Sequence, residues 1–262
     1  MLLRPARRYV LGGLAALSLT ARSVRAQEDV PIVAAASDLQ FAVEEIAMAF
    51  QAKTGLRVRL SMGSTGNFAR QIRAGAPYEI FMAADESFVS DLHRDGFTRD
   101  EGVRYALGRI VVQVPKGSGL KPDGSLENLR QALAEGRITR FAIANPDHAP
   151  YGMRAREALQ HAGLWDEIQP FLVLGENVSQ AAQFALSGNA EGGIIALSLA
   201  LAPQVAERGH HDLIPEDFHT PLWQRMALLR NAGPVADAFF RYLSQPVARE
   251  IMSRYGFVSP EE

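Results

Sequence analysis

Short apolar runs give way to helix-spaced patterns again and again along this chain, and that alternation constrains its fold most. Residues 32–36 are apolar and turn-free, as a buried strand is. From there the apolar residues fall at Leu39, Ala42, Val43, Ile46, Ala47 and Phe50, one face of a helix. Ser37 stands between the two patterns, at the N-cap position. Residues 57–62 alternate, GSTG follows, and a helix pattern through Phe68 and Ile72 closes at Gly75. Residues 79–84 read as a buried strand with a helix from Ser87. The exchange recurs where 141–144 meet NPDHAPYG and where 171–174 meet GEN. Alternation of this kind predicts α/β units around a mostly parallel sheet.

Four of these turns, at Ser37, Ser64-Thr65, Tyr151-Gly152 and Asn177-Val178, carry hydroxyls or the first amides of a helix. In a parallel sheet such turns share one edge, where ligands bind. Hydroxyls and helix-start N–H groups donate without net charge, and several converging on one point hold an oxyanion. Taken singly, each is also what ordinary helix capping produces.

The texture changes at residues 105–114 (YALGRIVVQV), a long strand-like run with Gly108 inside it. With the strand expected at 226–229, it reads as a pair of crossings between two lobes. Residues 27–108 plus 229–262 then form one lobe and 109–228 the other. Two helices, at 236–243 and 247–254, close the chain, with Pro246 at a permitted first-turn position.

Ahead of these units, Arg4, Arg7 and Arg8 form a basic region, and residues 10–19 an apolar run too short to cross a bilayer. SVRA then places Val24 and Ala26 where a signal peptidase needs small residues. A signal peptide over residues 1–26, cleaved near Ala26, and a periplasmic location are the expectation. That segment holds five arginines and no acid, so its loss takes the formal charge from −2 to −7. A mildly acidic protein has no electrostatic footprint for nucleic acid. The chain has no cysteine, which excludes thiol catalysis and zinc–thiolate sites.

No GxSxG elbow, GxxxxGK[ST] loop or HExxH is present. His210-His211-Asp212 and Asp147-His148 read as solvated loops, without ligand spacing to a second cluster. Ser64 has no histidine that stands out as its base, which counts against a secreted hydrolase acting through Ser64 or Thr65.

The stretches VAAASDLQFAVEEIAMAFQAKTG, GSTGNFARQIRAGAPYEIFMAADE, YALGRIVVQVPKGS, ANPDHAPYGMRAREALQHAGLW, GENVSQAAQFALSGNAEGGIIALS and YLSQPVAREIMSRYGF run through the chain in that order. In them the chain resembles the molybdate-binding protein family, the exported solute receptors of molybdate ABC importers. The resemblance implies a two-lobed periplasmic-binding-protein fold (type II), each lobe a mostly parallel sheet flanked by helices, with the oxyanion in the cleft. It implies four ligand positions: Ser37; the GSTG hydroxyl, Ser64 or Thr65, with an ungapped comparison favouring Thr65; Tyr151, through its backbone N–H; and the backbone N–H of Val178. The ligand implied is molybdate or tungstate, without catalysis and without a further cofactor. The partner implied is a membrane permease of an ABC transporter, served by a monomer. Sulfate or a phosphate-like anion is the alternative within binding proteins.

Two positions depart from the family. Many members carry a tyrosine donor where this chain has Ala196, a gap that Tyr151 could fill. Asp38 stands beside the anion position. It either points outward and supports the helix dipole from the first turn, or accepts a proton from a protonated ligand, which would favour a phosphate-like anion.

Overall fold

The computed structural model describes residues 30–260; the expected signal peptide lies outside them. Strand β1 (Ile32–Ala36) leads through a 3-10 turn, Ser37–Leu39, into α1 (Gln40–Thr54). Then come β2 (Arg59–Gly63), α2 (Thr65–Arg73), β3 (Ile80–Ala83), α3 (Glu86–Arg94) and β4 (Val103–Gly108). The chain continues with β5 (Ile110–Pro115), α4 (Glu127–Ala134), β6 (Phe141–Ala144), α5 (Pro150–His161), α6 (Trp165–Ile168), β7 (Leu172–Gly175) and α7 (Val178–Ala185). It closes with β8 (Gly192–Ala196), α8 (Leu197–Ala200), α9 (Pro203–Ala206), β9 (Gly209–Leu213), β10 (Leu222–Leu228), α10 (Pro234–Leu243) and α11 (Pro246–Arg254).

The strands form two five-stranded sheets, ordered β2-β1-β3-β10-β4 and β7-β6-β8-β5-β9. In each, three neighbouring strands run parallel and the fourth, β10 or β5, runs antiparallel to both its neighbours, so the edge strand beyond it, β4 or β9, points the same way as the first three and both sheets are mixed. Neighbouring residues on β1 and β3 face opposite cores. Val33, Ala35, Ile80 and Met82 join the large cluster beneath α1, whereas Ala34, Phe81 and Ala83 meet Phe68, Ile72, Val89 and Leu92 from α2 and α3. A parallel strand covered on both faces has to be apolar throughout, which is why these strands carry no polar alternation.

The long run at 105–114 is two strands: β4 ends at Gly108 in the first sheet, and β5 starts at Ile110 in the second. The second crossing arrives earlier than expected. All of β10, from Leu222, pairs with β3 and β4. We therefore propose to draw the lobes as residues 30–108 with 222–260, and 109–221, which moves 222–228 out of the second lobe. His210 and His211 lie on the edge strand β9, paired to β5, rather than in a loop.

Candidate oxyanion site

The carboxyl ends of β1, β2, β6 and β7 face one another across the cleft. The turns that follow them line one small, narrow cavity. Ser37, Ser64, Thr65, Tyr151 and Val178 all contribute to its wall, together with Asp38 and Ala84. The structure thus brings every expected ligand residue to one place, each with at most 4% of its surface exposed.

Ser37 does not cap α1. It opens the 3-10 turn, and no side-chain cap bond is present there. Its Oγ instead accepts the Ser179 N–H of α7 at 3.3 Å, from the opposite lobe, and the Ser179 hydroxyl donates to the Ser37 carbonyl at 2.8 Å. Thr65 Oγ1 accepts the Ala84 N–H at 3.0 Å. In both residues a backbone amide occupies an acceptor lone pair, which leaves the single hydroxyl proton to be donated elsewhere. Tyr151 and Val178 stand in the first turns of α5 and α7, where backbone N–H groups have no partner within the helix. Asn177 caps α7 by accepting the Gln180 N–H at 3.0 Å, so the amide before it in the turn, at Val178, is not consumed by that cap.

Asp38 is turned inward. It is 1% exposed, and its Oδ2 accepts the Tyr151 hydroxyl at 3.0 Å and the Gln224 Nε2 amide at 2.7 Å. Its Oδ1 is buried with no hydrogen-bond partner among the described residues. Burial disfavours the carboxylate and raises its pKa to about 6, against the pull of the bonds from Gln224 and Tyr151. The outward, dipole-supporting orientation is therefore not the one adopted. The Tyr151 hydroxyl is committed to Asp38, so it does not replace the donor missing at Ala196. Burial and the Asp38 charge hold the Tyr151 hydroxyl well above its ordinary pKa, so it stays a donor. Gly108 makes room for this group: a Cβ there would lie 2.3 Å from the Tyr151 hydroxyl oxygen and 2.8 Å from Gln224 Nε2.

Sequence reasoning missed the cross-cleft partners. A histidine does stand beside Ser64: His148 Nδ1 lies 2.9 Å from Ser64 Oγ, and its Nε2 is 3.6 Å from Glu176 Oε2. Asn67 of α2 donates to that same glutamate from the other lobe. Arg154 of α5, 7% exposed, reaches Asp85 at the end of β3 at 2.6 Å while holding Glu157 at 2.8 Å. Only the motif NPDHAPYG and the buried side of α5 hinted at these residues, and neither names a partner.

A family model for bacterial extracellular solute-binding proteins matches residues 32–258. The chain is similar to the molybdate-binding protein ModA of Escherichia coli, 35% identical over 249 residues, which cover 93% of this chain and 95% of that one. The ModA of Rhodobacter capsulatus is 32% identical over 231 residues, 87% of this chain and 88% of its own. Among solved structures, the periplasmic molybdate-binding protein of Azotobacter vinelandii matches with a TM-score of 0.79 at 31% identity, over 88% of this chain and 100% of that chain. The sulfate-binding protein SubI of Mycobacterium tuberculosis matches with a TM-score of 0.71 at 16% identity, over 88% and 87%, a likeness of fold alone.

Proposed function

The chain belongs to the bacterial extracellular solute-binding proteins, in the molybdate-binding ModA family, and from that premise we propose that Ser37, Thr65 and the first amides of α5 and α7 close around one tetrahedral oxyanion, molybdate or tungstate. It is a periplasmic solute-binding protein of an ABC transporter rather than an enzyme. The series Ser64, His148, Glu176 has the outline of a nucleophile with its base, but its members come from two lobes, and the family to which they belong binds without chemistry.

The observation that carries this reading is the way the hydroxyls are held. Backbone amides sit on the Oγ atoms of Ser37 and Thr65, so each proton is left for an acceptor in the cavity. A fully ionised oxyanion is an acceptor only. It matches a wall of donors, whereas a protonated anion would leave its own proton unpaired. Between the GSTG hydroxyls, the geometry favours Thr65 as the ligand, because Ser64 Oγ is engaged with His148. Donors from both lobes meet at one anion only when the cleft is shut, so an anion first held by one lobe draws the cleft closed. The closed protein, acting as a monomer, then delivers its cargo to the permease.

One observation favours a second reading. Asp38 lines the cavity with an unpaired Oδ1, which would accept a proton from a phosphate-like anion. Melting of the protein with molybdate, tungstate, sulfate and phosphate in parallel separates the two. A ligand at 100 times its Kd adds about 2.7 kcal/mol to stability. Stabilisation by molybdate and tungstate alone is expected. Stabilisation by phosphate alone would hand the site to the second reading, and none by any of the four would remove the proposal.

A further inference from the structure

The amino end of α2 is satisfied in an unusual way. Ser64 has the extended backbone of a capping residue, φ −81 and ψ 142, yet its side chain makes no cap bond to its own helix. Its Oγ pairs with His148 Nδ1 instead, and the Gly66 N–H donates to the His148 carbonyl at 2.9 Å. One residue of the second lobe thus holds both the hydroxyl and an orphan amide of a helix in the first. His148 itself is 8% exposed and lies outside the wall of the oxyanion cavity. The backbones come this close only because position 66 is glycine. A Cβ there would sit 2.6 Å from the His148 carbonyl oxygen and 3.1 Å from its Cα.

We infer that His148 is the closure residue of the cleft, a positioning residue that clasps the start of α2 and sets how long the oxyanion stays bound without touching it. The inference rests on the oxyanion-capture reading above. When the lobes part, the clasp is released, and Ser64 is free to turn its Oγ back to the orphan amides of its own helix. Closure therefore exchanges a cap within one lobe for a bond between lobes. The capture step precedes this exchange and does not depend on it, whereas escape of the anion requires it to be undone. The rate affected is that of release.

The test is stopped-flow measurement of molybdate association and dissociation, followed by intrinsic tryptophan fluorescence. The variants are His148→Ala, His148→Asn, Gly66→Ala and the pair Ser64→Ala with His148→Ala. Loss of one net hydrogen bond in the closed form corresponds to dissociation faster by roughly five- to tenfold. That increase is expected for His148→Ala with association unchanged. Asparagine presents a side-chain donor near the position of Nδ1 and should recover most of the lifetime. Removing Ser64 as well should add nothing to His148→Ala.

Gly66→Ala reaches the same contact from the other side. Alanine is a better helix former than glycine, so the ligand-free protein, with its cleft free to open, should melt no lower than wild type. Release of molybdate should nevertheless quicken. A purely structural role would give the opposite pairing. If the wild type binds molybdate and both His148→Ala and Gly66→Ala release it at the wild-type rate, the clasp is wrong and the capture reading stands. If the wild type does not bind molybdate at all, the capture reading itself has failed.

Discussion

Replacing Asp38 by asparagine should convert a pH-dependent receptor into one that is nearly indifferent to pH. A carboxylate and a dianion about 5 Å apart, at an effective dielectric of about 20, repel by roughly 7 kcal/mol. With its pKa raised to about 6 by burial, protonating Asp38 at pH 7 costs about 1.4 kcal/mol. Protonation is the cheaper route, so each captured dianion brings one proton to Asp38. Above pH 6 the wild-type Kd should then weaken by about tenfold for each pH unit, and below it should level off. Asparagine keeps an oxygen for Tyr151 and Gln224 and places an uncharged amide where Oδ1 was. At about pH 8 Asp38→Asn should bind molybdate roughly 100-fold more tightly than wild type, and at pH 5.5 about equally. Titration calorimetry across this range, in buffers of different ionisation enthalpy, reads both the Kd and the proton taken up. A flat wild-type Kd with no proton uptake would refute the reasoning. Stability of the ligand-free protein should follow the same carboxyl group. The folded pKa lies above the ordinary 3.8, so the protonated acid stabilises the fold below that value, and this contribution is lost as pH rises through about 6. The loss is about 3 kcal/mol, and Asp38→Asn should not show it.

Other perturbations separate donors, latches and packing. Ser37→Ala combined with Thr65→Ala removes two hydroxyl donors to a charged ligand and should weaken molybdate binding by a hundredfold or more, about 1.5 kcal/mol or more per bond; the ligand-free protein should still fold but melt lower, because the Ser179 and Ala84 amides lose their acceptors. Arg154→Met removes the buried cross-lobe pair with Asp85, so molybdate should dissociate faster in stopped-flow while Asp85 continues to accept the Ser87 N–H that caps α3. Gly108→Ala should lower stability by about 2 kcal/mol, because its methyl group overlaps the Tyr151 hydroxyl. Adding Tyr151→Phe should recover part of that loss in thermal melting.

Local pattern was enough to find the sheets' parallel strands and the turns that line the cavity. A buried strand followed by a helix-spaced run leaves a strong signal, and its turn lies at the ligand edge by topology. What the pattern could not carry was direction. Asp38 and Tyr151 are 113 residues apart in sequence, and nothing near either says that they meet. Helix-start logic therefore offered an outward Asp38 as one of two readings and set Ser37 at the N-cap position. His148 sits in the expected loop but is buried rather than solvated, because its partners, Ser64 and Glu176, reach it from distant turns. The strand β9 was missed for a different reason. It is an edge strand with the polar sequence GHHDL, most of it facing solvent, and so lacks the apolar alternation that marks a strand. The first half of β10 is likewise obscured by Gln224 and Arg225, which serve the cleft and a neighbouring carboxylate rather than the core.

The order of strands in the two sheets works as a lever. The crossing strands β5 and β10 define the axis, and β7 and β2 each lie three places away from them. At strand spacings of about 4.8 Å, their outer ends stand roughly 14 Å from that axis. A rotation of about 15° would part them by roughly 4 Å, enough to break any hydrogen bond there. Asp38 and Gln224, by contrast, stand nearer the axis, with the Tyr151 hydroxyl against Gly108 at the crossing itself. Paired distance probes at Asn67 and Glu176 would therefore register nearly the full swing of the lobes, and probes at positions 38 and 151 only a small part of it.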